Sequence, residues 1–199
     1  MGTRTILLVA LVAGVLGVVA GLAVNGPGPL LRTELGQRAV QQAMGAVAPP
    51  TPDGLAVATR GGPVPAITLP DLAGTPRTLP ADFGGRPLLV NLWASWCGPC
   101  IEEMPELDRY AAAQGTSGVQ VIGIALDDQA SVDAFLERIP VRYPIVLDAP
   151  GPRDAGVQLG NPRGVLPYTV LVSADGRLLK QRIGPFTHGE LDAWARIDE

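Results

Sequence analysis

The feature that most narrows what this chain can become is Cys97-Gly98-Pro99-Cys100, which holds the only two cysteines among its 199 residues. The pair stands between an apolar run at 87–92 and a helix-like segment at 101–110, so a buried strand is predicted to turn into a helix at the first thiol. Two cysteines separated by two residues can close a small disulfide ring or open to a dithiol. At a helix start, unpaired backbone N–H groups and the positive dipole end favour a thiolate, which makes Cys97 the attacking sulfur. Pro99 suits the first helical turn, where no intrahelical acceptor is lost and its fixed φ matches the helix. Cys100, one turn deeper, is expected to be less exposed and to act as the resolving thiol.

Other uses of the pair fare worse. Structural zinc needs four ligands, and the chain offers two Cys and one His, His188. A c-type haem needs a His directly after the second Cys, where Ile101 stands. A merely structural disulfide across so short a loop constrains the unfolded chain little. Redox chemistry is the preferred use, with no metal and no cofactor expected. Cu(I) binding by the same soft thiolates is the rival from another class, although Met104 is the one further soft ligand near them.

Composition bounds the rest. A length of 199 residues allows one domain with appendages, and 47% hydrophobic residues are ample for a core. A net charge of −4, without any Lys/Arg cluster, argues against a nucleic-acid partner. Residues 6–24 are apolar or Gly throughout and follow Arg4. At ~1.5 Å per residue they nearly match a hydrocarbon core, so residues 1–25 are expected to form a membrane anchor. Cleavage as a signal peptide is the alternative, since Gly21-Leu22-Ala23 is a passable small-residue site. The absence of Cys after this run rules out lipoprotein processing, and the flanking charges orient the segment only weakly.

Residues 26–63 are rich in Gly, Pro, Ala and Thr and are expected to form a linker, with room for a short helix within 30–47. Beyond it, residues 67–69 and 77–79 flank a Gly-containing turn and predict a hairpin. Strands are expected at 87–93, 119–125, 143–147, 168–173 and 178–183, and helices at 101–114, 131–139 and 154–159. The first helix contains Pro105, where a kink is expected. Asp175-Gly176 marks a second hairpin, and Thr187 with Glu190 has the spacing of a capping box at a final helix. Strands alternating with helices give parallel crossovers and a central sheet.

The string Val90-Asn91-Leu92-Trp93-Ala94-Ser95-Trp96-Cys97-Gly98-Pro99-Cys100 resembles the active-site strand and turn of the thioredoxin superfamily. Its continuation, Ile101-Glu102-Glu103-Met104-Pro105-Glu106-Leu107, resembles the membrane-anchored extracytoplasmic branch, the TlpA/ResA-like thiol-disulfide oxidoreductases. With Gly164-Val165-Leu166-Pro167-Tyr168-Thr169 the likeness covers residues 64–199. It implies an α/β, thioredoxin-like fold with an N-terminal hairpin and a central insertion between Gln129 and Asp148. It also implies a single-pass protein of the cell inner membrane with its catalytic domain on the periplasmic side. Disulfide-containing proteins would be its substrates, and a membrane-embedded thiol carrier its electron donor.

The same resemblance implies a cis Leu166-Pro167 bond lying against the disulfide, with the backbone of Leu166 free to pair with an extended substrate. Trp96, Gly98, Pro99, Leu166 and Pro167 are therefore the substrate-binding candidates. The buried Asp of classical thioredoxins is replaced by Asn91. Glu103 is the candidate acid instead: it lies three residues after Cys100 on nearly the same helix face, whereas Glu102 is rotated ~200° away. A partly buried Glu103 would exchange a proton with Cys100. Glu102 and Glu106 read as ordinary acids of a helix start, His188 as a surface residue, Trp93 equally as core or functional residue, and Asp127-Asp128 as a poor cation site. Gly98-Pro99 matches the dipeptide of reducing thioredoxins and points to a reductase, with an oxidase or isomerase as the alternative.

Overall fold

The structure, a computed structural model, describes residues 33–48 and 50–197. The expected anchor at 1–25 lies outside them, and no helix among the described residues is long and apolar enough to cross a membrane. The chain divides into two compact units, 1–43 and 44–199. In the linker region the helix α1 spans Glu34–Ala46, and the Thr33 hydroxyl caps its start by accepting the Gly36 N–H at 3.1 Å.

The second unit opens with the expected hairpin, β1 (Ile67–Pro70) antiparallel to β2 (Pro76–Leu79). Its turn is closed by Asp71, whose Oδ1 accepts the N–H groups of Ala73 and Thr75, both at 2.9 Å. Then follow β3 (Leu88–Trp93), α2 (Gly98–Gln114), β4 (Gln120–Leu126), α3 (Gln129–Leu136), β5 (Ile145–Asp148), α4 (Ala155–Gln158), β6 (Tyr168–Val172), β7 (Leu178–Ile183) and α5 (Glu190–Trp194). Five strands form one mixed sheet in the order β5-β4-β3-β6-β7, with β3, β4 and β5 parallel and β6 and β7 antiparallel additions. The fold is thioredoxin-like, and α3 with β5 forms the expected central insertion, extending the sheet at one edge.

Every residue of β3 is buried, as expected of a largely apolar central strand covered on both faces. Leu88, Val90 and Leu92 point into a core shared with the β1–β2 hairpin and Ala155 of α4. Leu89 and Trp93 point the other way, into a core built with α2, α3 and α5. Asn91 alternates with the second set and so lies beneath α2.

Several boundaries differ from expectation. The stretch read as linker up to residue 63 is part of the domain from residue 58: Ala58 and Val64 are buried in the core, and Gly61 and Gly62 exchange backbone bonds with Leu178 at 2.7 and 2.9 Å. Its Pro/Gly composition suits an irregular strap that fills its hydrogen bonds along a sheet edge, which composition alone does not distinguish from a spacer. α2 begins at Gly98, three residues before the expected start, and runs through Pro105 to the expected end at Gln114. The capping contact is present, since Glu190 Oε2 accepts from the Thr187 N–H and hydroxyl, but the helix itself starts later, after Gly189 in a left-handed conformation at φ 76°.

Candidate active site

Cys97 is the N-cap of α2, with extended backbone at φ −87° and ψ 96°, and Gly98 and Pro99 form the first turn. The two cysteines are joined in a disulfide. Cys97 retains 6% exposure and Cys100 none, the asymmetry expected of an attacking and a resolving sulfur. Gly98 and Pro99 are exposed beside them. Trp96, at 69% exposure, projects into solvent. Trp93 is core: it is fully buried, and its ring lies 5.1 Å from that of Phe135.

The loop before Cys97 is held by a residue that sequence reasoning assigned to a poor cation site. Asp127 Oδ2 accepts from the Ser95 N–H at 3.0 Å and from the Ser95 hydroxyl at 2.6 Å. The reason is topological. β3 and β4 are parallel neighbours in register, Trp93 opposite Ala125, so the residue just beyond β4 sits beside the loop just beyond β3. Asp128 has a separate task, capping α3 by accepting the Ser131 N–H at 3.0 Å.

Glu103 is buried to 1% exposure. Its Oε1 accepts from Asn91 Nδ2 at 2.8 Å and its Oε2 from the Phe186 N–H at 2.9 Å. Burial pushes its pKa up to about 7, against the opposing pull of the Phe186 N–H, the Asn91 amide and the positive charge of Arg182. A carboxyl that is half ionised near neutrality, one helical turn beyond Cys100, has the proton affinity a general acid-base group needs. Asn91 thus orients the candidate acid, Glu103. Glu102 is exposed.

Glu106 departs from its expected role as an ordinary helix-start acid. It is buried at 7% exposure, receives two hydrogen bonds from Arg109 at 2.9 and 2.7 Å, and accepts the Gly189 N–H at 2.8 Å. His188, itself exposed, pairs with it at 3.1 Å. The Arg109 hydrogen bonds, more than offsetting burial, hold its pKa down at about 2. Glu103 and Glu106, three residues apart on one face of α2, therefore each take one backbone N–H from the segment ahead of α5.

The Leu166-Pro167 bond is cis, as is Leu79-Pro80, which sequence reasoning did not single out. Pro167 is buried and Leu166 half-buried, and among the described residues no backbone group pairs with the N–H or C=O of Leu166. Trp96 and Leu166 line a groove of about 290 Å³ with Leu126, Val157, Pro162 and Arg163. Trp96, the residue before Cys97, ties the groove to the cysteine turn, and the groove's lining is mostly apolar. The structure thus gathers Cys97, Cys100, Trp96, Gly98, Pro99, Leu166 and Pro167 around the turn at the end of β3, with Glu103 beneath it.

Fold and site together define a thioredoxin-like protein built around a redox-active cysteine pair. The family model described as Redoxin matches residues 59–195. The thiol-disulfide oxidoreductase ResA of Geobacillus thermodenitrificans is 30% identical over 132 residues, covering 66% of this chain and 73% of the relative. Among solved structures, a thioredoxin-related protein from Neisseria meningitidis serogroup B is 33% identical, with a TM-score of 0.55 over 63% of this chain and 93% of its own. A thiol-disulfide oxidoreductase from Bacteroides fragilis is 26% identical, with a TM-score of 0.57 over 67% and 96%. The chain belongs to the Redoxin family, in its TlpA/ResA-like thioredoxin branch.

Proposed function

We propose that this protein is an extracytoplasmic thiol-disulfide oxidoreductase that reduces disulfides of target proteins through Cys97 and Cys100. The observation that carries the proposal is the Cys97 sulfur at the N-cap of α2, bonded to a buried Cys100 one turn above the buried acid Glu103. In the reduced state the Cys97 thiolate, favoured by the helix start, attacks a target disulfide. One target thiolate leaves and a mixed disulfide forms. Glu103 takes the proton from Cys100, whose thiolate attacks the Cys97 sulfur and expels the second target thiolate. Two electrons pass to the target, and the Cys97–Cys100 disulfide is left behind. The similarity to proteins named thiol-disulfide oxidoreductases supports this chemistry.

An extended target segment pairs with the free backbone of Leu166, next to Pro167, and contacts Trp96, Gly98 and Pro99. Resetting the dithiol requires a thiol donor, which in this proposal is a membrane-embedded carrier. Residues 1–25 anchor the protein in the inner membrane with the domain on the periplasmic side, a placement supported by the apolar run and the family branch. The reducing direction rests on Gly98 and Pro99, which add no charge or side-chain donor to stabilise the Cys97 thiolate. Equilibrating the protein with glutathione and dithiothreitol buffers tests it. The expected midpoint lies below about −180 mV, the isomerase value, and a more positive one overturns the direction in favour of an oxidase or isomerase.

A further inference from the structure

A row of polar residues crosses the sheet beneath α2. Asn91 on β3 is the register partner of Thr169 on β6, which is the partner of Arg182 on β7. Asn91 Nδ2 joins the first two strands by donating to Thr169 Oγ1 at 3.0 Å. Arg182 at the far end is 1% exposed, an unusual depth for a guanidinium. Its Nη1 donates to Glu190 Oε1 at 2.8 Å and its Nη2 to the Pro185 carbonyl at 2.9 Å. Its Cζ also lies 4.3 Å from the centre of the Phe186 ring. The Pro185 and Phe186 contacts fix the segment between β7 and α5, which carries the Phe186 N–H that Glu103 accepts, and the Glu190 contact holds the start of α5.

We propose that Arg182 is a positioning residue for the resolving step: its fork and its charge hold the Phe186 N–H on Glu103 and so set the pH at which Glu103 can take the Cys100 proton. The proposal rests on the acid-base role given to Glu103 above. A mere structural pair would need neither the carbonyl contact at Pro185 nor the ring contact at Phe186. The guanidinium makes both while its charge acts on Glu103. The other titratable groups around Glu103 are Cys100 one turn earlier, Tyr143 ahead of β5, which feels the Glu103 charge, and Glu106 one turn later, paired with Arg109. Asn91 and Thr169 are neutral. Arg182 is therefore the cation whose removal moves the Glu103 titration most directly.

The test follows resolution of the mixed disulfide between the reduced full chain and oxidised glutathione, by quenched release of the second glutathione across a pH series. Arg182→Met alone leaves Glu190 without its partner and risks unfolding. Arg182→Met/Glu190→Gln removes both charges and keeps a side chain able to accept from Thr187. In this double variant the pH profile should move up by about one unit or more, the size expected for losing one hydrogen bond to a charged group. From a midpoint of about 7, that makes resolution near pH 7 about fivefold slower. Arg182→Lys, which keeps the charge but cannot span Pro185 and Glu190 together, should fall between. A double variant that is slower at every pH with an unmoved profile overturns the proposal. Glu103→Gln separates the two layers: loss of the pH dependence upholds the acid-base role whatever Arg182 does, and a retained wild-type profile removes that role and this proposal with it.

Discussion

Replacing Glu103 by Gln preserves the shape of a fully buried side chain while deleting its titration. The folded pKa is about 7 against an ordinary value of 4.5, raised chiefly by burial. At 1.36 kcal/mol per pH unit, that gap is worth about 3 kcal/mol. The sign follows from the direction. A carboxyl whose folded pKa is raised stabilises the protein fully below its unfolded value, and that stability is lost as pH rises through about 7. Urea unfolding of the disulfide-closed chain near pH 4 and again near pH 8 measures it for wild type and Glu103→Gln. Glu106 titrates alike in both proteins and cancels from the comparison. The stability of wild type relative to Glu103→Gln should fall by about 3 kcal/mol between the two conditions. Parallel behaviour of the two, within about 1 kcal/mol, would refute the claim that the carboxyl is forced to ionise inside the core.

Two further outcomes are expected. Glu106 is held at about 2 by Arg109, so its contribution is present above 4.5 and is lost as pH falls toward 2. Melting curves between these limits should show a steeper acid-side decline in wild type than in Glu106→Gln, and identical slopes would contradict the pairing. Asp127→Ala removes the carboxylate oxygen that accepts both the N–H and the hydroxyl of Ser95. It should lower stability by about 1.5–3 kcal/mol in urea unfolding, the range for a hydrogen bond to a charged group, and an unchanged midpoint would show that the loop before Cys97 is held otherwise.

What the sequence disclosed is what neighbours along the chain decide. The apolar run into Cys97, the proline of the first helical turn, the Asp175-Gly176 turn and the three-residue spacing of Cys100 and Glu103 are all local, and strand, helix start, hairpin and shared helix face follow from them. Glu106 escaped because an acid near a helix start has a sufficient local explanation, while its partner the Gly189 N–H lies 83 residues away. Asp127 needed the β3–β4 register before its neighbour Ser95 could be named. The polar row has the same cause: Asn91 and Thr169 interrupt apolar strands visibly, yet only the pairing across 78 residues puts them together under Glu103. Residues 58–63 were misread because Pro and Gly make straps and spacers alike, and the bonds that distinguish them run to Gln158 and Leu178.

The central claim is that exchange passes through Cys97 and is resolved by Cys100. Its most direct measurement incubates reduced Cys100→Ser and Cys97→Ser chains with a disulfide-bridged peptide and locates any covalent adduct by peptide mapping. Cys100 is fully enclosed while Cys97, at the helix N-cap, keeps 6% exposure, so the predicted adduct accumulates on Cys97 of the first variant and stays scarce on the second. Equal or faster capture by Cys100 would contradict the assignment of the two sulfurs.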